Sequence, residues 1–176
     1  ESPVLASRGG MSLAARPDGY VISSFFDVFT ELSTDGGLAW FPAVNGPGRL
    51  ELQTIGPAHG YPTSDHPPYE GRYRATSPYF SAYAPGIVVS NFALRTFTQS
   101  FPLPAAGVTQ TVVFGATADL RVSSDGGATF EPVSGPVSVT VRLMQGAGGD
   151  AMTRFYDTEM LALNVAGGDL PPGVLA

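Results

Sequence analysis

Residues 108–122 read VTQTVVFGATADLRV. Val108, Val112, Phe114, Ala116, Ala118, Leu120 and Val122 share one parity, interrupted by Gln110. Thr109, Thr111, Gly115, Thr117, Asp119 and Arg121 share the other, interrupted by Val113. Alternation of this kind is the pattern of a β-strand with one buried and one solvated face. Val137, Val139, Val141 and Leu143 alternate with Ser138, Thr140 and Arg142 and predict a second strand. Further out, strands are predicted at residues 11–16, 20–32, 38–43, 49–55, 86–101, 128–132 and 153–165. Residues 20–32 are apolar on both faces, with Phe26, Val28 and Leu32 on one and Phe25 and Phe29 on the other. That predicts a central strand, or one whose second face meets a partner. Residues 149–164 offer the one competing helix, through Met152, Phe155, Tyr156, Glu159 and Met160; their β-branched and polar mixture favours strand.

The composition agrees with an all-β chain. Its 22 Gly and 16 Pro make turns dense and long helices costly. A length of 176 residues suits one domain, residues 1–176, and 43% hydrophobic residues can fill its core. The net charge of −6 argues against nucleic acid, which needs a basic footprint. All nine basic residues are Arg, so Schiff-base, isopeptide and phosphate-loop chemistry lack their lysine. Without Cys there is no disulfide framework and no thiolate metal site. No stretch approaches the roughly 20 apolar residues of a membrane-spanning helix, so membrane insertion is not expected. The opening Glu1-Ser2-Pro3 predicts a processed or excised N-terminus.

The chain contains an internal echo. Ser33-Thr34-Asp35-Gly36-Gly37-Leu38-Ala39-Trp40 recurs as Ser123-Ser124-Asp125-Gly126-Gly127-Ala128-Thr129-Phe130. Val44-Asn45-Gly46-Pro47 recurs as Val133-Ser134-Gly135-Pro136. Asp-Gly favours hairpin turns, because Gly takes positive φ and Asp caps its own backbone. The expectation is a duplicated three-strand meander, over about residues 20–55 and 108–145, inside one antiparallel β-sandwich. Ser123–Phe130 resembles the Asp-box, a β-hairpin motif with an aromatic packed beneath the turn; the copy Ser33–Trp40 departs from it, with Ala39 where the motif has Thr. The resemblance implies structural turns built by Asp35, Gly36 and Trp40 and by Asp125, Gly126 and Phe130, and no activity. More loosely, Phe25-Phe26-Asp27-Val28-Phe29 leading into Asp-Gly-Gly resembles modules of large exported bacterial surface proteins. That implies an extracellular or cell-surface setting.

Residues 56–85 lack sustained alternation and hold five of the seven tyrosines, Tyr61, Tyr69, Tyr73, Tyr79 and Tyr83, with Phe80. Such a loop is expected to be an aromatic contact face for protein or sugar, or a cover over a sandwich edge. His59, Asp65 and His66 match no metal-ligand spacing, and each Asp-Gly-Gly turn has too few carboxylates for calcium, so no metal or other cofactor is expected. No Gly-x-Ser-x-Gly elbow is present. Asp27, Glu31, Asp119 and Glu159 lie on strands, where carboxylates usually face water rather than each other across a cleft. No enzyme is expected.

Each terminus carries an apolar segment beside a Gly pair: residues 1–9 with Val4 and Leu5, and residues 168–176 with Val174 and Leu175. Such tails suit strand exchange between copies. The functional expectation is a structural subunit of an extracellular filament, pilus-like fibre or surface assembly, joined head to tail through a terminal segment. The alternative is a glycan-binding or adhesin module that uses the Tyr-rich loop.

Overall fold

A computed structural model describes residues 5–53, 60–83 and 86–165, and all regular structure among them is β-strand. The strands are β1 (Ser7–Arg16), β2 (Gly19–Val28), β3 (Glu31–Leu32), β4 (Phe41–Pro42), β5 (Gly48–Gln53), β6 (Arg72–Ala75), β7 (Tyr79–Tyr83), β8 (Ile87–Arg95), β9 (Thr109–Ser123), β10 (Glu131–Gln145) and β11 (Thr153–Val165). The competing helix at 149–164 is thus a strand.

Neighbours follow chain order: β1–β2, β2–β5, β5–β6, β6–β8, β8–β9, β9–β10 and β10–β11, with β11 returning to β1. Every pairing is antiparallel, and the eight strands close into a barrel. The expected sandwich is therefore corrected. Two facing sheets would leave open edges, whereas β6 holds both β5 and β8, and β1 holds both β2 and β11. Eight strands give an interior that side chains just fill. The inward faces of β9 and β10 do this with Val112, Phe114, Ala116, Leu120, Val139, Val141 and Leu143, against Met11, Leu13, Ile22, Phe26, Tyr73 and Tyr156. Register shifts at Ser90/Ala93 in β8 and Thr140/Val141 in β10 sharpen the local bend, as bulges do.

The outer face of β2 meets no second sheet among the described residues. Phe25 points outward, and the Arg49 guanidinium from β5 lies 3.9 Å from its ring centroid. A cation over the ring covers that apolar surface.

The duplicated three-strand meander is found in neither copy; in the first, the short strand pairs outside the main sheet and β5 pairs directly with β2. There β2 gives way to a small β3–β4 ribbon, which returns to β5. In the second copy Gly135-Pro136 is no turn: Gly135 pairs with Ala118 and Pro136 with Thr117 inside one continuous β10. Pro136 lies one residue before the first pair of the described β10–β11 ladder, Val137 with Val165. The strands expected at 38–43 and 128–132 shrink to Phe41–Pro42 and to the start of β10 at Glu131.

Residues 56–85 also need correction. Their described part contains β6, the stave that closes the ring, and β7, which pairs with the first half of β8 outside it. Because the strands run alternately up and down, the connections sort onto two poles. The near pole receives β2–β5, β6–β8 and β9–β10, together with the start of β1 and the end of β11. The far pole receives β1–β2, β5–β6, β8–β9 and β10–β11.

Candidate functional site

The near pole carries both Asp-Gly-Gly turns, built by one scheme. Ser33 Oγ donates to Asp35 Oδ1 at 2.8 Å and accepts the Gly37 N–H at 2.8 Å. Asp35 Oδ1 also accepts the N–H groups of Leu38 and Ala39 at 3.1 and 3.0 Å. In the second turn Ser123, Asp125, Gly127, Ala128 and Thr129 repeat each bond within a few tenths of an ångström. The second turn adds one more, from Thr129 Oγ1 to Asp125 Oδ2 at 2.6 Å. Ala39 has no hydroxyl to offer. The backbone N–H of Ala39 and the Ser33 hydroxyl hold the Asp35 carboxyl below its ordinary range. The Ser123 and Thr129 hydroxyls hold Asp125 far below it. Gly36 and Gly126 take φ of 74° and 78°, the left-handed conformation the turns require.

The aromatic residues of the two turns part company. Phe130 is half-buried, with the Tyr79 ring 6.4 Å away and the Arg121 guanidinium 5.7 Å from its centroid. Trp40 is exposed and does not occupy the equivalent place. Leu38, Phe41 and Val44 on the same excursion are exposed as well, Leu38 by 88% and Val44 by 72%. This excursion is anchored on β7. Val44 N–H donates to Ala82 O at 2.8 Å, and Asn45 Oδ1 accepts the Ala82 N–H at 2.9 Å. The second turn is tied to the same hairpin, Gly126 N–H donating to Gly86 O at 2.9 Å. Both turns therefore flank β7, and Tyr79, itself exposed, stands on that strand.

Beneath this surface Phe80 stacks on Phe92, with centroids 4.7 Å apart. A side chain at Gly48 would put its Cβ 2.2 Å from the Phe80 ring. Tyr83 donates to Thr30 Oγ1 at 2.6 Å, and Thr30 bonds Ser81 at 2.8 Å. Phe80 and Tyr83 thus belong to the core, and so do Tyr61 and Tyr73. Of the aromatic residues expected to offer a contact face, only Tyr69 and Tyr79 are exposed, and they lie at opposite poles. Leu5 is exposed at the start of β1, while Val4, Val174 and Leu175, like His59, lie outside the described residues.

The far pole is stitched shut. Tyr61 pairs with Tyr20 and His66 with Phe101 as isolated bridges, drawing two connections over the mouth. His66 enters the core, where its Nε2 lies 2.6 Å from the Tyr73 hydroxyl, and that hydroxyl donates to Ser24 Oγ at 2.8 Å. A hydroxyl that donates to Ser24 must accept from His66, so Nε2 carries the proton and Nδ1 is a bare lone pair, buried without a partner. Burial pushes the imidazole down to about 4 and the Tyr73 phenol up. The rim outside this plug exposes Tyr69, Val108 and Met152.

The wall between the poles carries ion pairs beside the exposed Val113 and Leu161. Asp27 pairs with Arg49 at 3.4 Å, Asp119 with Arg95 at 2.5 Å, and Glu159 with Arg142. Three of the four strand carboxylates, Asp27, Asp119 and Glu159, are thus on the outer wall, each bound to a guanidinium. Among the described residues no three His, Asp or Glu side chains gather as metal ligands do. No described helix is long and apolar enough to cross a membrane.

No protein-family model matches the chain, and neither a curated protein nor a solved structure does.

Sequence reasoning missed Leu38, Phe41 and Val44 as surface residues. The available signal was Leu38 itself, an aliphatic residue inside a turn at the position where the second copy has Ala128.

Proposed function

We propose that this domain is a non-catalytic structural subunit of an extracellular surface assembly, stacked head to tail through its two poles. The observation that carries this reading is the run of exposed apolar residues Leu38, Trp40, Phe41 and Val44 on the near-pole excursion, with Tyr79 exposed on the strand that anchors it. Contiguous exposed apolar surface of this kind marks interaction sites. Its aliphatic members suit a protein surface better than a sugar ring. The opposite rim offers Tyr69, Val108 and Met152, while the wall carries ion pairs. A contact between unlike poles does not close on itself and extends into a fibre. This reading places the contact at the poles and not in a donated terminal strand, since Val4, Val174 and Leu175 lie outside the described residues.

The test uses two variants. Trp40→Ser with Val44→Ser disables the near pole; Val108→Ser with Met152→Ser disables the far pole. The wild type should form linear particles under the electron microscope. Each variant alone should sediment as a monomer, and a mixture should give heterodimers and nothing longer. A wild type that stays monomeric at high concentration ends the proposal, as do filaments that persist in either variant.

A further inference from the structure

A separate feature lies on the wall across β6, β8, β9 and β10. Register aligns Arg74, Ala93, Asp119 and Ser134 in one row. One step toward the far pole, Arg72 and Arg95 flank the Tyr73–Leu94 pair. On the other side Arg121 stands opposite Ser90 and Pro132. The register shift in β8, with Asn91 at φ 53°, interrupts the wall here. The depression is a cleft of about 380 Å³ lined by Arg72, Arg74, Asn91, Asp119, Arg121 and Ser134. A second cleft, of about 370 Å³, adjoins it through Arg72 and adds Arg95, Glu70 and the exposed Tyr69.

The charge in this strip is unbalanced. Four guanidiniums line it against two carboxylates, in a chain whose net charge is −6. Asp119 is already engaged, accepting from Arg95 at 2.5 and 3.0 Å and from Ser134 at 2.9 Å. Glu51, in register with Arg74, is bonded to Arg49 at 3.0 Å. The side chains of Arg72 and Arg74 make no hydrogen bond or close ion pair among the described residues, though Arg72 lies in the field of Asp119 and helps to lower its carboxyl. Arg121 spends one N–H on Phe130 O at 2.9 Å and keeps the rest. Unpaired guanidiniums side by side repel each other, and an anion laid between them removes that cost.

We propose that this strip binds a linear anionic polysaccharide. Carboxylates or sulfates along the chain dock on Arg72, Arg74 and Arg121, and a sugar ring rests on Tyr69. The guanidinium fork matches both anions and holds them bidentately. Residues two apart on one strand stand about 7 Å apart, so the arginines form a row of sites for a repeating chain and not one pocket for a single ion. The exposed Tyr69 ring supplies an apolar face at the end of the row. This site shares no residue with the near-pole cluster and only Tyr69 with the far-pole rim; its arginines stand on the wall and do not depend on pole-to-pole stacking.

Affinity electrophoresis in gels containing polygalacturonate, dextran sulfate or plain dextran tests it. At least one anionic polymer should retard the wild type, while plain dextran should not. Retention in polygalacturonate alone assigns carboxylate, and in dextran sulfate alone sulfate. Arg72→Ser with Arg74→Ser should weaken binding at least tenfold, and Tyr69→Ala several-fold. Arg16→Ser, which removes a charge at the β1–β2 turn, and Trp40→Ser should leave binding unchanged. Melting temperatures should match the wild type, since these side chains are exposed; if the double variant melts lower, the single Arg74→Gln carries the comparison. Failure of both anionic polymers to bind overturns the proposal, as does equal retention in dextran or an equal loss with Arg16→Ser.

Discussion

The two poles of this barrel treat their aromatic residues in opposite ways. At the far pole Tyr61, Tyr73 and Phe97 turn inward around His66, and the connections are bridged over them. At the near pole Trp40 and Phe41, beside the first Asp-Gly-Gly turn, and Tyr79, on β7, are exposed, while Phe80 and Phe92 fill the space below. Similar residue types thus serve cohesion at one end and exposure at the other. The decision rests on what anchors them: strands and bridges pull side chains in, whereas turns closed by their own Ser and Asp need no core contact.

The widest separation of the poles should appear in stability. Tyr73→Ala empties a fully buried site and removes the partner of both His66 and Ser24, and should cost about 3–5 kcal/mol. Trp40→Ala should change stability by no more than about 0.5 kcal/mol. Chemical denaturation measures both, and comparable losses would erase the distinction. Acid should act on the far pole next. His66 titrates at about 4 when folded and near 6.5 when unfolded. Between these values the unfolded chain binds the extra proton. The contribution is therefore complete above pH about 6.5 and shrinks as pH falls toward about 4, by roughly 3 kcal/mol at most. Thermal melts of the wild type and of His66→Gln isolate it; a variant that keeps the same slope over this window would refute the assignment.

How far the two poles could be read from residues alone follows from the length of each pattern. β9 and β11 carry enough alternating positions to be recognised, and their inward faces form the core. β6 has four residues and only two inward side chains, Tyr73 and the small Ala75, too few for a periodic pattern to be recognised. Yet β6 decides between an open sheet and a ring. Gly135-Pro136 carries the same letters as a turn and sits inside a strand, because its neighbours Val133 and Val137 already face inward in step. The two turns were legible from Ser, Asp and Gly because every bond they use is local. The contrasting exposure of Trp40 and Phe130 was not, because it depends on Tyr79 and Arg121 being near one aromatic and not the other. The arginine strip was equally hidden, since β6, β8 and β9 bring distant parts of the sequence together.

The smallest predicted effect compares the two turns themselves. Thr129→Ala should raise the Asp125 titration toward that of Asp35, and Ala39→Thr should lower that of Asp35. Both carboxylates lie below the ordinary value near 3.9, so each turn stays ordered above it and loosens as pH falls through the depressed value. Asp35 should protonate first. Carboxyl NMR titration reads all of this, and coincident curves in the wild type would show that the Thr129 hydroxyl adds nothing.

The ladder between β1 and β11 has a consequence for the order in which the barrel can be assembled. Ser7 pairs with Met160 and Leu13 with Arg154, so the first stave is held on one side by the last. As the chain emerges during synthesis, β1 can pair with β2 at once, but its other edge must wait for β11. Until then a row of unsatisfied N–H and C=O groups is open to any passing strand. Contacts this distant in sequence also slow folding, because loop closure must come before any gain. Arg8 and Arg16 stand at the two ends of β1, and charged side chains on a waiting edge discourage the wrong neighbour until the right one arrives.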